Sequence, residues 1–233
     1  MTASVILSIL ALYSVGIILI ISGVEALKRF KKNLSERYFG YGLICLGIVL
    51  GPLMGTRTVF GIQGYHSIDF SLAALNQLVL ILGIAAFGFS FSYKIFSGKA
   101  RVAAKIFWIL VAVLLFGAWI LALKLGAYDG PHVSRWGTEY EPTGFAKLAS
   151  IKMVVFLALF NLAFLIRRLY EWHQKRKINY DFYIGLTFIV FLCFFIFEQL
   201  GQMDTWKLLF SRVVFNALAV TFFLLYTKES FKE

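Results

Sequence analysis

The sequence predicts an all-α, polytopic membrane protein: a bundle of seven transmembrane helices with the N-terminus outside and the C-terminus in the cytoplasm. Three observations predict it. Hydrophobic residues make up 60% of the chain and charged residues 15%, against roughly half and a quarter in soluble domains. The apolar residues come in continuous runs that reach the roughly 20 helical residues needed to cross a bilayer. Their continuity, without alternation at every second residue, selects helices over a barrel, the two architectures that satisfy their backbone in lipid. Lastly, the basic residues gather in alternate connections, as they do where one side of a membrane protein is held in the cytoplasm.

The first span, about Thr2–Ala26, has no Lys or Arg ahead of it and Lys28, Arg29, Lys31 and Lys32 behind it. A signal peptide carries its positive charge in front, so the run is read as a true span with its downstream end in the cytoplasm. The second, Tyr38–Gly55, is short and glycine-rich. Gly47, Gly51 and Gly55 recur every fourth residue and form a flat strip on one helix face, which lets another backbone approach closely. The strip is read as an internal packing face, with a dimer seam as the alternative. Pro52 is expected to kink or end this helix.

The remaining spans are about Phe70–Ser92, Ile106–Leu125, Ala146–Ile166, Phe182–Leu200 and Leu208–Tyr226, and the longest connection is Gly126 to Phe145. Residues 1–233 are therefore read as a single membrane domain. An internal repeat is suggested by Phe70-Ser-Leu-Ala-Ala-Leu-Asn-Gln-Leu78 and Phe210-Ser-Arg-Val-Val-Phe-Asn-Ala-Leu218, which share Phe, Ser, Asn and Leu at matching positions. Spans one to three and five to seven run in the same directions, so a three-plus-one-plus-three parallel repeat fits the topology.

The net charge of +11 does not point to nucleic acid. Segments 28–38, 93–105 and 167–181 and the tail hold 16 of the 23 basic residues, whereas the acidic residues divide evenly between the two sides. Such a bias orients the helices and favours contact with anionic lipid heads. The two cysteines, Cys45 and Cys193, both lie inside spans and are read as small apolar space-fillers. The histidines, His66, His132 and His173, all fall in connections, whereas an integral haem carrier draws axial histidines from its helices. The outer groups His66, Asp69, Asp129, His132, Glu139 and Glu141 lack the spacing of a metal motif. No phosphate loop, nucleophile elbow or kinase signature is present. No enzyme activity, metal or cofactor is therefore expected.

The seven-helix, N-out arrangement resembles that of rhodopsins and seven-helix receptors, in topology alone. A microbial-type rhodopsin would carry a retinal-bearing lysine in its last span, and Arg212 to Tyr226 contains none. With Asn76 in the third span and Asn216 in the seventh, the chain is also similar to SWEET sugar transporters, though of the paired helix prolines of that family only Pro52 is present. These residues assign no family.

The intramembrane polar residues remain. Measured from the span edges at 1.5 Å per residue, Asn76, Gln77, Lys152 and Asn216 lie roughly 10 Å deep, with Glu198 and Arg212 nearer the surface. Such groups usually face the bundle interior and mark functional sites. They are expected to line an outward-facing pocket for a small polar or anionic ligand. The expected function is a non-enzymatic receptor or sensor module in the plasma membrane or a bacterial inner membrane. With a cytoplasmic tail of only Thr227 to Glu233, it would signal through a separate membrane or cytoplasmic partner. A small-solute transporter and a structural subunit of a larger membrane complex are the alternatives.

Overall fold

The computed structural model describes residues 3–134 and 137–144. Beyond these it describes the helical residues 165–166, 169–171, 173–174, 182–183, 186, 189–190, 213–214, 217–218, 220–221 and 224–225. The chain divides into two compact units, Met1–Lys147 and Leu148–Glu233, and every element named below belongs to the first. Four helical stretches in it are long and apolar enough to cross a membrane: Val5–Arg29, Leu34–Ile62, His66–Ile95 and Gly98–Lys124. The three later spans read from the sequence fall largely outside the described residues.

Helix α1 (Ala3–Arg29) ends on Lys28 and Arg29, cations that suit the negative end of a helix dipole. A short turn leads to α2 (Leu34–Ile48), which starts where Asn33 caps it. The Asn33 side-chain oxygen accepts from the backbone N–H groups of Ser35 and Glu36 at 3.1 and 3.4 Å, satisfying donors that have no partner within the helix.

Pro52 does not end this helix. Val49–Leu53 form one π turn containing it, and the chain continues as α3 (Met54–Ile62). A proline inside an α-helix removes one hydrogen bond and clashes with the carbonyl four residues back; the wider π turn absorbs that mismatch. The span therefore runs beyond Gly55 to Ile62, and Arg57 lies on a helix.

Helices α4 (His66–Ile95) and α5 (Gly98–Lys124) follow, each starting several residues before the apolar run that marks it in the sequence. Neighbouring helices run antiparallel and meet at glycines. A Cβ on Gly16 of α1 would stand 2.5 Å from the Cα of Gly51 and 2.6 Å from the carbonyl oxygen of Gly47. Seven residues along each helix, a Cβ on Gly23 would meet the carbonyl oxygen of Gly40 at 2.6 Å. Gly55 abuts the Tyr13 ring, whose hydroxyl is 2.8 Å from Thr56 Oγ1. The strip Gly47, Gly51, Gly55 thus lies along α1. On α4, Gly83 faces Cys45 and Gly88 faces the Trp108 ring of α5. Leu12, Leu19, Val49 and Leu50 are almost wholly buried.

The connection after α5 contains an antiparallel hairpin, β1 (Tyr128–Ser134) and β2 (Gly137–Pro142), with Tyr128 opposite Pro142 and Ser134 opposite Gly137. Its register slips between Asp129 and His132, beside Gly130, whose φ of 134° few other residues adopt. The hairpin packs on α3 and α4, at the end opposite the basic α1–α2 and α4–α5 turns.

Candidate functional site

At the hairpin end, three elements bring a cation, an anion and a phenol together. Arg57 of α3 donates from Nε to Asp69 Oδ1 at 3.0 Å, with the Asp69 side chain wholly buried. Asp69 lies in the first turn of α4, where the helix dipole favours a carboxylate. Tyr140 of β2 closes the group. Its hydroxyl donates to the His66 carbonyl at 3.0 Å and lies beside the Asp69 carboxylate, while Arg57 sits 5.7 Å from its ring centre. Phe70 meets both Tyr140 and Tyr128 edge to face, at 5.1 and 6.0 Å.

Burial and then the Asp69 carboxylate push the Tyr140 hydroxyl up from 10 to about 12, with Arg57 pulling the other way. Burial likewise raises Tyr128. Tyr140 is thus held as a neutral donor. A group whose folded pKa is raised stabilises fully below its unfolded value and loses that contribution as pH rises through the folded one. Docking of the hairpin should therefore be independent of pH up to about 10 and should fail as pH climbs through about 12. Tyrosinate absorbance followed beside hairpin proteolysis checks this, and Tyr140→Phe should loosen the hairpin at neutral pH.

Two helical turns beyond Asp69 on the same face of α4 is Asn76. It is buried, and among the described residues its side-chain oxygen has no hydrogen-bond partner. The pairings on either side fix its level. Arg57 meets Asp69, and Gly83 meets Cys45, so the midpoint of this antiparallel register sets Asn76 level with Gly51, in the π turn. Asn76 is ten residues into α4, about 15 Å along its axis. Gln77, about 100° around the helix, is exposed. Lys152, Glu198, Arg212 and Asn216 lie outside the described residues.

A second polar layer lies at the basic end. Lys94 Nζ is 2.7 Å from Glu36 Oε1, with both side chains buried, and the ammonium stands 5.8 Å from the centre of the Phe39 ring. Beside it, Ser35 Oγ donates to the Ser90 carbonyl at 3.1 Å.

The spans read from the sequence leave Arg57 and Asp69 in the connection between Gly55 and Phe70, and give Tyr140 no role. The available signal was the charge of Arg57 and Asp69 flanking the Gln63–Tyr65 turn, a spacing that joins two antiparallel helix ends. Chemically, the Arg57–Asp69–Tyr140 group is a clamp between three elements, whereas Asn76 offers an acceptor unmet among the described residues. Compared with known protein families, curated proteins and solved structures, the chain matches none.

Proposed function

We propose that the chain is a non-enzymatic integral membrane module of the receptor or sensor kind. It takes a small polar or anionic ligand from the hairpin side and signals through a separate protein. The observation that carries this reading is the Asn76 oxygen, buried and without a partner among the described residues, beneath the Arg57–Asp69–Tyr140 clamp. Leaving a buried acceptor unsatisfied costs about 1–3 kcal/mol, a cost that is reasonable where a donor from a ligand completes the bond. The hairpin above is held by the Tyr140 contacts, so an arriving ligand can shift it.

Thermal unfolding of the detergent-solubilised protein against a panel of amino acids, sugars and small carboxylates provides the test. One class should raise the Tm, and Asn76→Leu should abolish that response while itself stabilising the unliganded protein by about 1–3 kcal/mol. A destabilised Asn76→Leu with an unaltered ligand response would overturn the proposal.

One observation favours the transporter as the second reading. The π turn at Pro52 interrupts a span near its middle and stands level with Asn76, and transporter sites are commonly built near the midplane on discontinuous helices. Flux of the stabilising solute into liposomes selects this alternative; stable co-purification without any ligand response selects a structural subunit. The orientation is tested separately. A cysteine at Ser134 should react with an impermeant reagent from outside and one at Ser97 should not, and the reverse pattern would invert the topology.

A further inference from the structure

We propose that the cleft between the α1–α2 and α4–α5 turns binds the phosphate of an anionic membrane lipid. The cleft, of about 510 Å³, is lined by Lys32, Asn33, Leu34, Ser35, Tyr93 and Arg101. Its two cations come from different turns and line the same cleft as the Tyr93 ring. Arg101 Nε donates to the Phe96 carbonyl at 2.9 Å, and the guanidinium stands 5.2 Å from the Tyr93 ring centre. These contacts fix the plane of the fork and leave its terminal nitrogens outside that bond. Lys105, one helical turn on, also holds Tyr93, its ammonium donating to the hydroxyl at 2.6 Å. An arginine fork and a lysine point charge are the pair best suited to phosphate oxygens.

The charge balance agrees. The two turns and adjoining helix ends, residues 25–37 and 93–105, carry nine cations and two carboxylates. Both carboxylates are engaged elsewhere: Glu36 with Lys94 at 2.7 Å, and Glu25 with Lys28 and Arg29. Among the described residues, Lys32 and Arg101 pair with no carboxylate. Basic pockets between helices on the cytoplasmic side are the setting in which membrane proteins bind phospholipid head groups.

A free phosphate would use the cleft alone, but the surface leading from it favours a lipid. Val102, Ile106, Ile109 and Val113 of α5 are all exposed and recur at i, i+4, i+7 and i+11, one stripe of a helix. The stripe starts one residue beyond Arg101 and extends for about 16 Å at 1.5 Å per residue. That is close to half of a hydrocarbon core of about 30 Å, or one leaflet. The acyl track therefore starts beside the head-group cleft, about 100° around α5 from Arg101.

Two readouts on the full chain in detergent test this. Wild-type protein should retain phosphatidylglycerol in native mass spectrometry at least about tenfold over phosphatidylcholine, and the former should raise its Tm by several degrees. Lys32→Gln with Arg101→Gln should erase both effects. Lys28→Gln, which removes a cation outside the cleft, should leave them intact, and Arg101→Lys, which keeps charge but not the fork, should retain part. Equal retention of the two lipids by wild-type protein would overturn the proposal whether or not the double variant folds. So would equal losses in Lys28→Gln, which would mean diffuse surface attraction. A full Tm shift with inorganic phosphate or glycerol 3-phosphate would make the cleft a free-anion site and remove the lipid.

Discussion

Gly16→Ala should cost about 3 kcal/mol or more, the upper end for overpacking a well-packed interior, and should sharply lower the yield of folded protein. The added methyl would stand 2.5 Å from the Gly51 Cα and 2.6 Å from the Gly47 oxygen. These are backbone atoms, which can yield only if α1 and α2 separate. Association of helices in lipid rests on close packing, because apolar surface gains little by leaving one hydrocarbon environment for another. The response should be graded with distance. A Cβ at Gly51 would meet the Gly16 Cα at 3.0 Å, so Gly51→Ala should be milder than Gly16→Ala, and Gly51→Leu should be as severe. Gly117, where a Cβ would meet nothing within 4 Å, is the control, and its alanine variant should change stability by less than about 0.5 kcal/mol. Thermal unfolding with size-exclusion profiles checks the series. Equal, near-neutral behaviour at Gly16 and Gly117 would contradict this packing.

Four of the helical stretches were legible as apolar runs because lipid leaves no other way to satisfy a backbone over that length. Their ends were not. The apolar runs leave out Lys28 and Arg29, which α1 keeps in its last turn, and Asp69, which α4 keeps in its first. Asn33 followed by Glu36 is an N-terminal signature of a helix, yet a reading led by apolar runs began that span at Tyr38. Passage through Pro52 was hidden because a π turn leaves no signal in composition. The hairpin was hidden for a different reason: its residues are polar and aromatic in a mixed order, and its position depends on Tyr140 reaching Asp69 and His66 across more than 70 residues of chain. As for the candidate site, Asn76 could be singled out as a costly polar group in an apolar helix. That Gln77 turns outward while Asn76 turns in follows from which face of α4 meets α2, a tertiary fact.

The second large effect concerns the ion pair at the basic end. Glu36→Gln should destabilise the protein by about 3–5 kcal/mol, because it leaves the Lys94 ammonium in a buried position without its carboxylate. Lys94→Met should do the same from the other side. Yet Glu36→Gln combined with Lys94→Met should recover most of either loss, since desolvating the two charges consumes much of what their attraction returns. The contrast lies on the same face of the membrane. Glu25 meets Lys28 and Arg29 at 3.9 and 3.4 Å with all three side chains well exposed, and exposed pairs contribute about 0–1 kcal/mol. Glu25→Gln should therefore be nearly silent in the thermal unfolding assay that registers Glu36→Gln. The difference has a structural reason. Ser35 is anchored to the Ser90 carbonyl one residue before Glu36, and the Phe39 ring lies beside the Lys94 ammonium, so neither charge can turn to water without breaking the α2–α4 contact. Strict additivity of the two single changes, or a silent Glu36→Gln, would mean that both groups are separately hydrated at the membrane edge and that the α2–α4 junction does not depend on their pairing.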